Sequence, residues 1–316
     1  MNSPKPGTRI PITARWGIGL ALATALISGV SIFVNATAVR FVPDAALFTT
    51  VKNAVAALIL LAVAALTVRP QEVRALRPRS WAALGLVAIV GGSVPFLLFF
   101  TGLAEASAPS AAFIHKTLFV WVALLAVPFL SERLGWLQVG ALGVLLAGQA
   151  IATPPNGVVW GTGETLIALA TLLWAVEAVL VRRLVQDIPS PVLAAARLSF
   201  GLVVLVGYLV VTGRLAGLGA LGPEAWGWVL VTGFLLSGYV GTWYAALRRA
   251  PAAAVTSVLV IGAPITAMIQ GLSSGAVPAP SLVVGYVLVS VAACAVVAGM
   301  LRGRSADSSM SARPAT

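Results

Sequence analysis

Residues 110–130 read SAAFIHKTLFVWVALLAVPFL. A run of about 20 apolar residues is the length of helix that crosses the hydrocarbon core of a bilayer. Yet His115 and Lys116 stand side by side within it, and His115 is the only histidine in the chain. An ionisable side chain at the centre of a span costs about 2.5–3.5 kcal/mol on insertion scales. That cost is tolerated where the group faces a wet cavity, a substrate or a counter-charge, so we read this helix as lining a pathway. In the competing reading Lys116 snorkels to the headgroups and His115 merely packs. Pro128 and Ser131-Glu132-Arg133-Leu134 mark the end of the span.

The rest of the chain agrees with a membrane setting. Of its 316 residues 59% are hydrophobic and only 9% charged, and the mean hydropathy is +1.01. A soluble domain carries about 25% charged residues. The net charge of +11 does not point to nucleic acid, because no basic stripe interleaved with aromatics accompanies it. Cys294 is alone in an apolar run, which leaves no disulfide framework and no thiolate metal site. Ala36-Thr37-Ala38 matches a signal-peptidase pattern. The apolar run before it is longer than the roughly 7–15 residues of a signal h-region, so it reads as a retained first span.

Outward from residues 110–130, ten apolar stretches fill the chain: 16–39, 45–67, 81–103, 108–130, 134–152, 160–181, 190–212, 225–247, 252–274 and 280–301. Residues 1–15 and 302–316 read as polar tails and 153–159 as an external linker. With the N-terminus inside, Arg40 and Arg214 are the only two cations on the outer side, while Lys52, Lys116 and Arg197 fall within spans. Every other Lys and Arg lies on the inner side. Such a bias fits the positive-inside rule, an even number of spans and two cytoplasmic termini, hence a multi-pass membrane protein.

A repeat is visible at a shift of about 145 residues. Asp44-AALFTTVKNAVAAL lies over Ser190-PVLAAARLSFGLVV, placing Lys52 on Arg197, and Ser110-AAFIHKTLFVW lies over Ala254-VTSVLVIGAPI. Five spans per half is an odd number, so the second copy must be inverted. The fold class is therefore an all-α polytopic membrane protein of ten helices in two inverted five-helix repeats, 16–152 and 160–301. In such carriers the substrate site lies between the repeats near the midplane.

At these residues the chain resembles a known family. Two five-helix halves, a basic residue early in the second helix of each (Lys52, Arg197), and Ser131-Glu132-Arg133-Leu134 before Gln138-x-Gly140 are similar to EamA-type domains of the drug/metabolite transporter superfamily. The resemblance implies a ten-helix inner-membrane carrier exporting small metabolites, often amino acids. The second half departs from the pattern, with Gly275-Ala276 in place of Glu132-Arg133, so Glu132 reads as a structural residue at a helix end.

Polar residues inside the spans supply the candidate site. Thr24, Ser28, Ser31 and Asn35 lie within about 60° of arc on the first helix. They line water or protein, or else make the interhelical bonds of about 0.6 kcal/mol usual for such groups. The repeat carries Ser28 and Ser31 onto Trp174 and Glu177. Glu177 reads as a proton carrier, as a counter-ion to Lys116 or Arg197, or as a bystander near Arg182 at the inner interface. Lys52 and Arg197 either attract an anion and gate it, or snorkel and brace helix ends. Tyr239 and Trp243 suit a pocket wall, whereas Trp81, Trp136, Trp226 and Trp228 suit the interfacial aromatic belt. In the ninth span Gly262 and Pro264 should loosen the helix and free the carbonyl of Val260. Thr266 and Gln270 follow at helical spacing, and Gly91-Gly92-Ser93-Val94-Pro95 is a second weak point.

The expected function is secondary transport by alternating access, through a cavity between the first, fourth, sixth and ninth spans. Lys116 and His115 would hold an anionic group and Glu177 would couple or counterbalance, with protons as a coupling ion. Three intramembrane cations against one acid favour a carboxylate over a lipophilic cation. Efflux of drugs or lipophilic compounds, metabolite uptake and a passive channel are the alternatives. An enzyme is disfavoured: there is no H-E-x-x-H, nucleophile elbow or P-loop, and only Ser110 or Thr117 lies near His115. No cofactor or metal is expected. The partners are a small-molecule substrate and lipid, and the assembly a monomer or homodimer.

Overall fold

The computed structural model describes residues 12–42, 44–106, 108–152, 160–275 and 277–310. In chain order the apolar helices are α1 (Trp16–Ala38), α2 (Ala45–Thr67), α3 (Pro78–Leu103), α4 (Ser110–Leu130), α5 (Trp136–Ala152), α6 (Thr162–Leu184), α7 (Ser190–Val211), α8 (Pro223–Arg249), α9 (Ala252–Ser274) and α10 (Pro280–Ala298). Among the described residues nine are long and apolar enough to cross a membrane, and α5 is shorter. Helical structure begins at Ile12 and runs on to Met310, so parts of both segments read as tails are helical. The remainder of those tails and the linker 153–159 lie outside the described residues.

Local chemistry sets the helix ends. The Asp44 side chain accepts from Ala46 N (2.8 Å) and Leu47 N (2.9 Å), capping two donors that the first turn of α2 leaves open. Proline occupies the first turn of α3, α7 and α8, where its missing N–H costs nothing. Helices α4 and α9 both end on a residue in the left-handed region, Ser131 (φ 53°) and Gly275 (φ 66°). These positions share a register of the repeat, so Ser131 falls opposite Gly275, where the sequence alignment sets Glu132.

Packing shows the duplication directly. Helix α1 packs on α8 and α9, and its counterpart α6 packs on α3 and α4. Helices α2 and α7 pack on each other, as do α5 and α10. Exchanging the halves maps this set of neighbours onto itself. The α5–α10 contact is close enough that a Cβ on Gly148 would lie 2.8 Å from the Gly285 carbonyl oxygen. Outward, side chains such as Leu58, Leu66, Val203, Val211, Phe234 and Val291 are exposed, an apolar exterior suited to hydrocarbon rather than water. Trp81, Trp136 and Trp226 are exposed, but Trp228 is half-buried and stacks on Phe41 with centroids 5.7 Å apart.

Three spans are irregular where the site forms. Helix α3 contains a π-helical segment, Ala88–Ser93, at the weak point the sequence marks. Helix α9 breaks between Ala252–Leu259 and Gly262–Ser274. The freed acceptor expected there does not arise, because Ala263 N–H donates to Val260 O at 3.0 Å. Helix α4, expected to be continuous, breaks in the equivalent register between Ala108–Lys116 and Leu118–Leu130. No Gly or Pro causes this. Thr117 N–H donates to Ile114 O at 3.1 Å and its hydroxyl donates to the same carbonyl at 2.7 Å, a local bond that competes with the helical ladder.

Candidate functional site

A cavity of about 550 Å³ lies between the two halves, within the range of about 300–1,000 Å³ usual for small-molecule sites. The four spans expected from sequence contribute to it, and so do α2, α3, α7 and α8. The α5–α10 pair does not. Its position follows from the irregular spans: the α4 and α9 breaks deliver His115, Lys116 and Val260 to its wall.

The charged centre is built from α6, α7 and α8. Glu177 is 3% exposed and Arg197 4%, so neither snorkels nor sits at an interface. Arg197 Nη2 donates to Glu177 Oε2 at 3.1 Å, and Nε makes a charge contact with Oε1 at 2.9 Å. Tyr244, fully buried beside them, donates its hydroxyl to Oε1. Both carboxylate oxygens are therefore engaged.

The same guanidinium binds the first half. Pro95 has no N–H to give to Gly91 O, the carbonyl four residues before it. That oxygen instead accepts from Arg197 Nη2 at 3.0 Å and from Trp174 Nε1 at 3.2 Å. A Cβ on Gly91 would land on the Glu177 carboxyl group, and one on Gly201 would lie 2.7 Å from Gly92 O. Glycine is thus required where the halves meet. A backbone defect in one repeat is satisfied by side chains of the other.

Aromatic rings form the apolar wall. Trp174 lies 5.4 Å from Phe96, 5.6 Å from Phe99 and 5.0 Å from His115, centroid to centroid. Tyr239 and Trp243 stack with centroids 6.2 Å apart and planes 9° apart. On α2, Lys52 Nζ donates to Asn35 Oδ1 at 3.1 Å and lies 5.0 Å from the Phe48 ring. Asn35 in turn donates to Ser31 O (2.7 Å) and Ser31 Oγ (3.0 Å). Lys116 lines the cavity, and no ion pair engages it among the described residues.

The sequence-derived residues Asn35, Lys52, His115, Lys116, Trp174, Glu177, Arg197, Tyr239 and Trp243 all meet here, with Ser28 and Ser31. Thr24 does not: it is buried against α8, donating to Thr242 Oγ1 at 2.9 Å. Thr266 and Gln270 are also not brought to the cavity. The α9 break resets the helical phase, so Thr266 donates to Gly29 O of α1 at 2.9 Å, and Gln270 is exposed. Pro95, Gly262 and Pro264 stand at or beside irregular backbone rather than in the wall. Sequence reading missed Phe48, Phe96, Phe99, Phe100 and Tyr244, and marked Gly91 only as part of a weak point in the third span. Only the aromatic density of 96–100 hinted at any of them.

A helical bundle of two repeats around a largely apolar, charge-bearing cavity, with an apolar exterior, is the architecture of a membrane transporter. Residues 15–153 and 161–298 each match the EamA-like transporter family, and the chain belongs to that family, within the drug/metabolite transporter superfamily. It is 25% identical over 208 residues to the uncharacterized transporter sll1164 of Synechocystis sp., a match covering 60% of this chain and 59% of that relative. The match therefore spans less than two thirds of the relative's length. A solved crystal structure covers 92% of this chain and 98% of its own with a TM-score of 0.71 at 16% identity, a likeness of fold alone.

Proposed function

We propose that the protein is a secondary transporter of a bacterial inner membrane, with both termini cytoplasmic, that exports small carboxylate-bearing metabolites by alternating access. The observation that carries this reading is the cavity between the repeats, whose one acid is tied at once to Arg197 and, through it, to the Gly91 carbonyl of the opposite half. A change at Glu177, by proton uptake or by substrate competing for Arg197, would loosen a contact between halves. The breaks of α4 and α9, in the same register, supply the places to bend. Direction is taken from the family, and a monomer encloses the whole cavity, with a homodimer equally compatible. Uptake is the second reading of direction.

Catalysis finds little support at the one histidine. His115 Nδ1 is buried without a hydrogen-bond partner among the described residues, and the Thr117 hydroxyl donates to its own helix, so these two form no nucleophile–base pair. The test compares metabolites released by cells overproducing the protein with those released by cells carrying Glu177→Gln at equal expression. A set of carboxylated metabolites should rise outside the former and fall back with the variant. Equal release by both would make Glu177 structural. Release no different from empty cells would retire export in favour of uptake.

A further inference from the structure

We infer that the cavity selects an organic anion with a flat apolar or aromatic body and no ammonium group, which excludes free amino acids as the preferred cargo. The inference rests on the carrier reading and names the substrate class of the same cavity.

Charge is the first argument. Glu177, the sole acid among the lining residues, has one oxygen held by Arg197 and the other by Tyr244 and Arg197. That pair is internally neutral and presents no open carboxylate to an incoming amine. Lys52 is bonded to the neutral amide of Asn35, and Lys116 to no acid among the described residues. Two cations are left in surplus. In an apolar wall an uncompensated charge acts at much greater strength than in water. An anion gains from both lysines, whereas an ammonium is repelled by both. The aromatic rings could hold an ammonium by cation–π attraction, but that is weaker than like-charge repulsion in the same medium.

Shape is the second argument. Trp174, Phe96, Phe99 and His115 give one ring cluster, and Tyr239 stacked on Trp243 gives a flat face. Offset-stacked and edge-to-face contacts with such walls favour a planar body. Lys116 is then the main anion contact, and Asn35 positions Lys52 as the second.

Three probes with the same ring and two-carbon spacer separate the charges: 3-phenylpropanoate, L-phenylalanine and 2-phenylethylamine. Binding to the full-length purified protein is read by tryptophan fluorescence and thermal shift, and transport by counterflow in proteoliposomes. The anion should bind at least about 10-fold more tightly than the zwitterion, with the amine weakest. Loss of a charge-assisted contact in Lys116→Gln should weaken the anion about 10-fold or more, and Lys116→Arg should restore most of it without helping the amine. Binding of phenylalanine or phenylethylamine as tight as that of the anion, measured on the wild-type protein, overturns the inference. So does absence of saturable phenylpropanoate binding to folded protein. The two readings fail separately: counterflow of the zwitterion or amine in preference retires the anion and keeps the carrier, whereas saturable anion binding with no counterflow keeps the site and retires the carrier.

Discussion

Lys52 and Arg197 occupy the same register of the two repeats, on α2 and α7, and both are buried at the cavity wall. Each reaches toward the first helix of its own half, but the partners differ. Lys52 finds a neutral amide, Asn35, and Arg197 finds a carboxylate, Glu177. The flanking positions differ as well. Around Arg197 stand Ala194 and Leu198, while around Lys52 stand Thr49 and Asn53, buried with Thr49 Oγ1 and both Asn53 amide atoms lacking hydrogen-bond partners among the described residues. Duplication supplies a cation twice at equivalent depth; the compensation is supplied only once. The second half is electrostatically closed and braces the first, and the first half retains charge and polar groups available to something else.

The comparison is broken most severely at Arg197. Arg197→Leu leaves a buried carboxylate without its cation and strips a donor from Gly91 O, and breaking a buried pair from one side costs about 3–5 kcal/mol. Denaturation of the purified protein should show a loss of that size. The double variant Glu177→Gln/Arg197→Leu, in which no charge is stranded, should recover a large part of it. Equal losses in the single and double variants would mean that the charges are not coupled.

A smaller effect of opposite sign is expected at Asn53. A buried polar group without a partner carries a desolvation penalty of about 1–3 kcal/mol. Replacing it by an apolar residue of similar size, Asn53→Leu, should therefore raise stability by about 1–2 kcal/mol in the same denaturation assay. A fall instead would show that the amide has a partner, such as an ordered water, and that Asn53 is not a polar group held open in the first half.

Much of this asymmetry was legible in the sequence, and the unread part has a common cause. The ten apolar helices follow from hydropathy, and the bilayer imposes a spanning length on the nine longer ones among the described residues. Glu177 and Trp174 follow from the repeat, which carries the polar positions Ser28 and Ser31 onto them. The wall of Phe96, Phe99 and Phe100 was not legible, since an apolar residue in a span faces lipid or cavity with equal hydropathy. Helical phase fails across broken backbone, and for that reason Thr266 and Gln270, polar and correctly spaced from Gly262, end elsewhere. At the α4 break the Thr117 N–H and hydroxyl both donate to Ile114 O, and no Gly or Pro marks the place in the sequence. Nor does a sequence show which distant donor will take up the carbonyl that Pro95 abandons.

The smallest prediction concerns the paired helix ends. Ser131 and Gly275 close α4 and α9 in the same left-handed conformation, yet only Gly275 adopts it without a Cβ penalty. After Ser131 the chain must aim Glu132, whose amide N–H donates back to Ala126 O at 3.2 Å, closing the last turn of α4. The Glu132 carboxylate then accepts from Ala252 N (2.8 Å) and Ala253 N (3.3 Å), capping α9 where a negative charge is favoured by the helix dipole. The first half thus accepts strain at a position that orients a cap on the second, and no acid follows Gly275 to be oriented. A non-glycine residue in this region costs about 1–2 kcal/mol, and glycine's greater loss of chain freedom returns about 0.5–1 kcal/mol of that. Ser131→Gly should therefore raise stability by about 1 kcal/mol or less, and Gly275→Ser lower it by a similar amount. Both are read as small shifts of the denaturation midpoint at unchanged slope. A clear destabilisation by Ser131→Gly would mean that the stiffness of serine, rather than the turn alone, keeps Glu132 on its cap.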